Sequence, residues 1–139
     1  MTYARRELPR SRILIVEDNT DLRRVLSEIL QYEGFDVVSA ASAEEAITML
    51  EADATLPQLA ISDILMEGMD GCAFLTTIRA NPRWRVMPVV FLSGQMQSPD
   101  VCGPDGPHPD AYVEKPFTIQ DLVATITLTI QRGHVDTQS

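Results

Sequence analysis

Positive charge is scarce in this 139-residue sequence. Lysine and arginine number 11 against 20 aspartates and glutamates, a formal net charge of −9. A general grip on nucleic-acid phosphates needs the opposite balance, so direct nucleic-acid binding by this chain is not expected. Cations or basic partners suit the acidity better. Cysteines are also few. Cys72 and Cys102 have no CxxC spacing and no neighbouring histidine, which argues against a zinc site. They are expected to be free thiols in a reducing compartment, with a disulfide left open. No apolar run approaches the ~18 residues of a membrane helix. The N-terminal MTYARRELPRS is polar and basic and lacks the apolar core of a signal peptide. The expected location is therefore cytoplasmic, with no membrane contact. There is no internal repeat, and the length suggests one domain.

Apolar periodicity supplies the architecture. Residues 1–11, which include Arg5, Arg6 and Arg10, read as a flexible lead-in, with Arg12 part of the same solvated basic cluster. RILIVE (12–17) is a strand. In the stretch that follows, Leu22, Val25, Leu26, Ile29 and Leu30 recur at helical spacing. Asp18 or Asn19 can cap that helix and Gly34 can close it. FDVVSA (35–40) is the second strand. Ser42-x-x-Glu45 opens the second helix as a capping box. QLAISD (58–63), MPVVFLS (87–93) and AYVEK (111–115) are the remaining strands. Helices are expected over 70–81 and after Thr118, and 133–139 reads as a tail. Strands alternating with helices predict an α/β fold, a doubly wound five-stranded parallel sheet. One segment breaks the pattern. Residues 94–110 hold Pro99, Pro104, Pro107 and Pro109 with interspersed glycines. A helix belongs between the fourth and fifth strands, but each interior proline costs ~3 kcal/mol. Residues 94–110 are thus expected to be irregular, with at most a short turn near Gln95 to Gln97.

Ligands of open α/β sheets bind beyond the carboxyl ends of the strands. The polar residues at those ends are Glu17 and Asp18 after the first strand, Asp63 ending the third, Ser93 ending the fourth and Lys115 after the fifth. Three close carboxylates repel, so one must take a proton or the group must bind a cation. Oxygen donors without histidine favour Mg²⁺ or a similar hard ion. Lys115 can pair with Asp63. A carboxylate so placed can act as a nucleophile toward phosphorus and form an aspartyl-phosphate. Cationic and hydroxyl groups would then hold the phosphoryl oxygens, and Gly94 beside Ser93 leaves room for them.

LIVEDN, ISDILMEGMDG, VVFLSG and DAYVEKPF, in this order, resemble the four signatures of a bacterial response-regulator receiver domain, across about Arg12 to Ile130. The resemblance implies a flavodoxin-like (βα)₅ receiver domain over 12–132. It also implies a two-component phosphorelay role. Asp63 would be the phosphoacceptor, fed by a sensor histidine kinase or phosphotransfer protein. Glu17, Asp18, Asp63 and the main-chain carbonyl of Leu65 would form the Mg²⁺ site. Ser93 would be the switch hydroxyl, Tyr112 the switch aromatic and Lys115 the family's lysine, with a cis peptide to Pro116. Leu65 and Gln95 match positions that tune phosphate lifetime. Such a domain modifies only itself and is not a turnover enzyme; an unknown downstream protein reads its state. Two departures stand out: Glu67 where the family usually has proline, and 94–110 without a helix-forming sequence. The second motivates an alternative, a receiver-like interaction module whose switch is degenerate or independent of phosphorylation. A haloacid-dehalogenase-type phosphatase needs a second acid two residues after its nucleophile, where Asp63 has Leu65 and Asp18 has Thr20. The sequence names neither kinase nor output, nor whether the domain stands alone or belongs to a longer regulator or hybrid kinase.

Overall fold

The computed structural model of the chain describes residues 10–94 and 100–138, the last five of these as backbone only. In chain order the elements are β1 (Arg12–Val16), α1 (Thr20–Tyr32), β2 (Asp36–Ala40), α2 (Ala43–Ala52), β3 (Leu59–Asp63), α3 (Gly71–Ala80), β4 (Val89–Ser93), β5 (Ala111–Glu114) and α4 (Ile119–Gln138). All strand pairs are parallel, in the order β2-β1-β3-β4-β5. That is the flavodoxin-like order, with the chain reversing direction across the sheet at β1 and β3.

The sheet is buried on both faces, which is why its strands read as nearly continuous apolar runs. Leu14, Val16, Ala60, Val89 and Phe91 face one core with α2 and α3, including Ala46, Leu50, Phe74 and Ile78. Ile13, Ile15, Ile61, Val90 and Leu92 face the other with α1 and α4, including Leu26, Leu30, Leu122 and Ile126. Alternation along each strand sends successive side chains to opposite cores. Trp84 and Met87, just before β4, are buried in the first core.

Capping chemistry sets the helix starts near the carboxyl edge. Asn19 Oδ1 accepts from the Leu22 amide at 2.9 Å, so Asn19 is the cap of α1. Ser42 Oγ accepts from the Glu45 amide, while Glu45 reaches back to the Ala41 amide. Asp70 caps α3 and Thr118 caps α4 through equivalent contacts. Gly34, at φ +101°, closes α1. Its amide bonds to Gln31 O and that of Phe35 to Leu30 O, the paired bonds of a Schellman motif.

The irregularity expected between β4 and β5 is present: residues 100–110 form turns and bends with no helix. The expected turn near Gln95 to Gln97 and the role expected of Gln95 lie outside the described residues. Four helices, rather than the five of an ideal (βα)₅ unit, flank the sheet among the described residues. Two local expectations are not met. The supposed tail after residue 132 continues α4 to Gln138, because Gly133 is followed by no proline and by residues that tolerate helix. Arg12 is not a solvated lead-in residue; it bridges Asp36 at 3.2 Å and Asp53 at 3.3 Å.

A larger correction concerns the cysteines. Cys72 and Cys102 are joined in a disulfide, with Cα atoms 5.4 Å apart, and are not the free thiols expected. Thirty residues of sequence separate them. Residues 100–110, which lead into β5, lie along α3 and bring them together.

Candidate functional site

β1 and β3 are neighbours at the centre of the sheet, so their carboxyl ends deliver Glu17, Asp18 and Asp63 to one place. One carboxylate oxygen from each lies within 4.8 Å of the others. Their environments differ. Glu17 is 1% exposed. Its Oε2 accepts from the Asn19 amide at 3.1 Å, while its buried Oε1 has no hydrogen-bond partner. Burial is the main reason its carboxyl is pushed up from 4.5 to about 7. The Asn19 amide opposes that rise, the Asp63 charge adds to it, Lys115 opposes it and the Asp18 side chain adds to it. Asp18 Oδ2 accepts from the Glu67 amide at 3.3 Å. A proline at 67 has no N–H and could not make this contact, so this departure gives Asp18 a donor.

Asp63 is held at both oxygens. Oδ1 accepts from the Ile64 amide at 2.9 Å and Oδ2 from Lys115 Nζ at 3.1 Å. Both side chains are half-buried. Lys115 reaches the site from the end of β5; its amide bonds to Ser93 O, and its peptide bond to Pro116 is cis. Ser93 ends β4, one residue beyond Leu92, the register partner of Asp63, and is buried.

The loop after Asp63 is strapped down. The Gly71 amide bonds to Ile64 O at 2.8 Å. A Cβ at Gly71 would fall on the Asp63 main-chain oxygen, so only glycine lets α3 start this close to β3. The Met69 amide donates to Glu44 Oε2 from α2 at 3.2 Å. The Leu65 side chain is 81% exposed.

Tyr112 stands away from the carboxyl edge. It pairs in register with Phe91, and the two rings meet edge to face with centroids 6.3 Å apart. Partial burial, then the Asp100 charge, raises its hydroxyl pKa.

The expected acids and Lys115 thus converge, with Ser93 at the same edge and Tyr112 two residues further down the sheet. Sequence reasoning missed the Glu44 strap, the Glu67 amide and the Asp110 contacts. Asp110 Oδ2 accepts from Arg79 Nη2 at 2.6 Å and from the Val89 amide at 2.8 Å. An acid just before a short strand, opposite a basic residue in the last turn of a preceding helix, is a weak signal found only once topology is known.

A buried carboxylate oxygen with no partner, inside an all-oxygen cluster, fits a hard divalent cation. Among the described residues no helix is long and apolar enough to cross a membrane.

Comparison with known proteins agrees with this geometry. A family model described as the response regulator receiver domain matches residues 13–127. The chain is 31% identical over 124 residues to the DNA-binding response regulator MtrA of Mycolicibacterium smegmatis, covering 89% of this chain and 52% of that one. It is also 31% identical over 125 residues to the KDP operon transcriptional regulatory protein KdpE of Escherichia coli K12, covering 90% and 53%. The chain therefore spans about half the length of these relatives. Among solved structures, the signal receiver domain of a signal transduction histidine kinase from Syntrophus aciditrophicus superposes with a TM-score of 0.73 at 30% identity, covering 87% of this chain and 90% of that one. The chain belongs to the response regulator receiver domain family of two-component signalling.

Proposed function

We propose that Asp63 accepts a phosphoryl group from a phosphohistidine donor with Mg²⁺, and that the aspartyl-phosphate controls binding to a downstream protein. The observation that carries this reading is the Asp63 carboxylate at the end of β3, 3.1 Å from the Lys115 ammonium and within reach of the Glu17 and Asp18 carboxylates.

In the transfer, a carboxylate oxygen of Asp63 attacks phosphorus. A P–O bond forms as the P–N bond to the donor imidazole breaks, and that bond's electron pair leaves on the ring nitrogen. Glu17, Asp18, Asp63 and the Leu65 main-chain carbonyl would hold Mg²⁺. When bound, the ion neutralises charge on the phosphoryl oxygens. Lys115, already beside Asp63, offers its ammonium to a phosphoryl oxygen once Asp63 is esterified. Ser93 offers a hydroxyl from the end of the neighbouring strand. Tyr112, edge to face with Phe91, would be the aromatic that moves inward with the hydroxyl. The chain changes its own covalent state and turns over no outside substrate beyond the phosphodonor.

Receiver domains pair with histidine kinases; here the donor would be a sensor kinase or a phosphotransfer protein, and the domain, read as residues 12–132, would work in the cytoplasm. DNA binding is a property of MtrA, a relative of which this chain spans about half. With 20 acidic residues against 11 basic, this domain would act on protein partners.

The test is intact mass after incubation with acetyl phosphate and Mg²⁺, with Asp63→Asn as control. A phosphoryl adduct that needs Mg²⁺ and is lost in the variant is the expected result. No adduct on folded protein would refute the reading. A second reading is favoured by the cross-linked, helix-free segment 100–110: a receiver-like interaction module whose partner binding does not depend on phosphorylation. Equal partner affinity with and without phosphodonor would support it.

A further inference from the structure

The segment 100–110, which leads into β5, is fastened to α3 at two points. Asp110, its last residue, is held by Arg79 near the carboxyl end of α3. Cys102 is held by Cys72, the second residue of α3. The loop thus runs back along the helix, and Val101 and Cys102 pack on the α2/α3 core beside Tyr112. Cys102 sits in a tight turn. The Gly103 amide bonds to Asp100 O at 2.8 Å and the Gly106 amide to Gly103 O at 3.1 Å. Gly103 lies at φ +100°, and a Cβ at Gly106 would fall on the Cys102 carbonyl oxygen.

The placement matters more than the bond. Cys72 follows Gly71, whose amide bonds to Ile64 O and whose Cα abuts the Asp63 main chain. At the other end, the loop from Cys102 leads within ten residues to Tyr112. The covalent ring closed by the disulfide contains α3, β4 and Ser93. Closing it joins the phosphoacceptor loop to the segment that must move if Ser93 and Tyr112 respond. The Arg79–Asp110 contact is polar and can break and re-form; the disulfide cannot stretch.

We propose that Cys72 and Cys102 form a reversible thiol–disulfide site that gates the response of residues 100–110, which lead into β5, to phosphorylation of Asp63. This rests on the phosphoacceptor reading given above. Closed, the site holds the loop on α3 and blunts the response; open, the loop is released. Both cysteines are partly exposed, so an outside thiolate can reach the pair. In a compartment where glutathione and dithiol proteins keep thiols reduced, a disulfide of this kind is transient and regulatory rather than permanent. Opening uses a dithiol reductant. Its thiolate attacks one sulfur, the other cysteine leaves as thiolate and takes a proton, and the second reductant thiol resolves the mixed disulfide. Two electrons and two protons pass to the cysteines, and the reductant leaves as its own disulfide. In closing, one cysteine thiolate attacks oxidised glutathione and one glutathione thiolate leaves; the second cysteine displaces the other, so two reduced glutathiones leave with the two electrons and protons.

The experiment uses the full chain in three forms: oxidised, reduced with dithiothreitol, and the Cys72→Ser, Cys102→Ser double variant. Each is incubated with and without acetyl phosphate and Mg²⁺. Intact mass gives the adduct, and amide hydrogen exchange over residues 100–117 gives the response. All three forms are expected to take the adduct. Phosphorylation is expected to change exchange of this segment by roughly tenfold in the reduced and double-serine forms and to leave the oxidised form nearly unchanged. The same change in oxidised and reduced protein overturns the gate and leaves the phosphoacceptor reading intact. Absence of adduct in every form overturns both. If the double variant fails to fold, reduced wild type carries the comparison. Alkylation in glutathione mixtures completes the test. A pair that stays open, or stays closed, across every mixture from reducing to oxidising overturns the reversible site.

Discussion

Replacing Glu17 with glutamine isolates the electrostatic strain of the acidic cluster. Glu17 is buried, keeps an unpartnered oxygen and faces two more carboxylates. Its carboxyl is pushed up from 4.5 to about 7. The folded protein therefore holds this proton more tightly than the unfolded chain. The favourable contribution is fully present below pH 4.5 and is lost as pH rises through about 7. A displacement of this size corresponds to about 3 kcal/mol, which for a domain this long is roughly 10 °C in Tm. Glu17→Gln keeps the shape and the acceptor for the Asn19 amide but carries no charge. It also directs an amide N–H₂ at Asp18 and Asp63. Urea unfolding of both proteins in chelator, from pH 5 to pH 8, is the assay. Between pH 5 and pH 8 wild type is expected to lose about 2.5 kcal/mol relative to the variant. Parallel stability curves would refute the reasoning, because titrations elsewhere in the fold are common to both proteins. Adding Mg²⁺ at pH 8 is expected to restore wild-type stability, as binding to the folded state must, and to help Glu17→Gln less.

Three further expectations follow from the same contacts. Lys115→Met removes the cation 3.1 Å from Asp63 and leaves three acids together; in chelator, denaturant titration should register a loss of about 1–2 kcal/mol, reduced from a fully buried pair by partial exposure, along with a lower adduct yield from acetyl phosphate. Gly71→Ala drives a Cβ into the Asp63 and Ile64 main chain, where backbone cannot give way; a cost of about 2 kcal/mol or more should appear as a lower urea midpoint, and an unchanged midpoint would mean that α3 can shift away from β3. Reduction of the Cys72–Cys102 disulfide opens a ring with a sequence separation of 30; the chain-entropy relation gives about 4 kcal/mol of lost stability, measured by unfolding with and without dithiothreitol.

Much of the site was legible because its chemistry lies at the ends of apolar runs. Glu17, Asp18, Asp63 and Ser93 each interrupt or close a strand that the core needs, and parallel topology then forces those ends to one edge. No distance had to be known. The helix starts were legible for a similar reason: Asn19, Ser42 and Thr118 act on amides three residues away, and local contacts are written in local sequence. What could not be read depends on how a loop lies on a helix. Prolines and glycines argued against a regular helix over residues 94–110, but did not say where the segment goes.

That path is set by tertiary contacts distant in sequence. Asp110 is at once an acceptor for the Val89 amide and a partner for Arg79, so the same carboxylate starts the pairing of β5 with β4 and pins the loop to α3. Once this end is fixed, the turns at Gly103 and Gly106 bring Cys102 to the start of α3. A fourth interior helix would shield the α2/α3 core with an apolar face. Here Val101, Cys102 and Tyr112 cover part of that core, and the disulfide holds the cover in place of helical hydrogen bonds. The covering segment thereby becomes responsive to thiol chemistry, which a helix lacking cysteines would not be. The helix-free course of residues 100–110 and the cysteine pair are thus one structural solution.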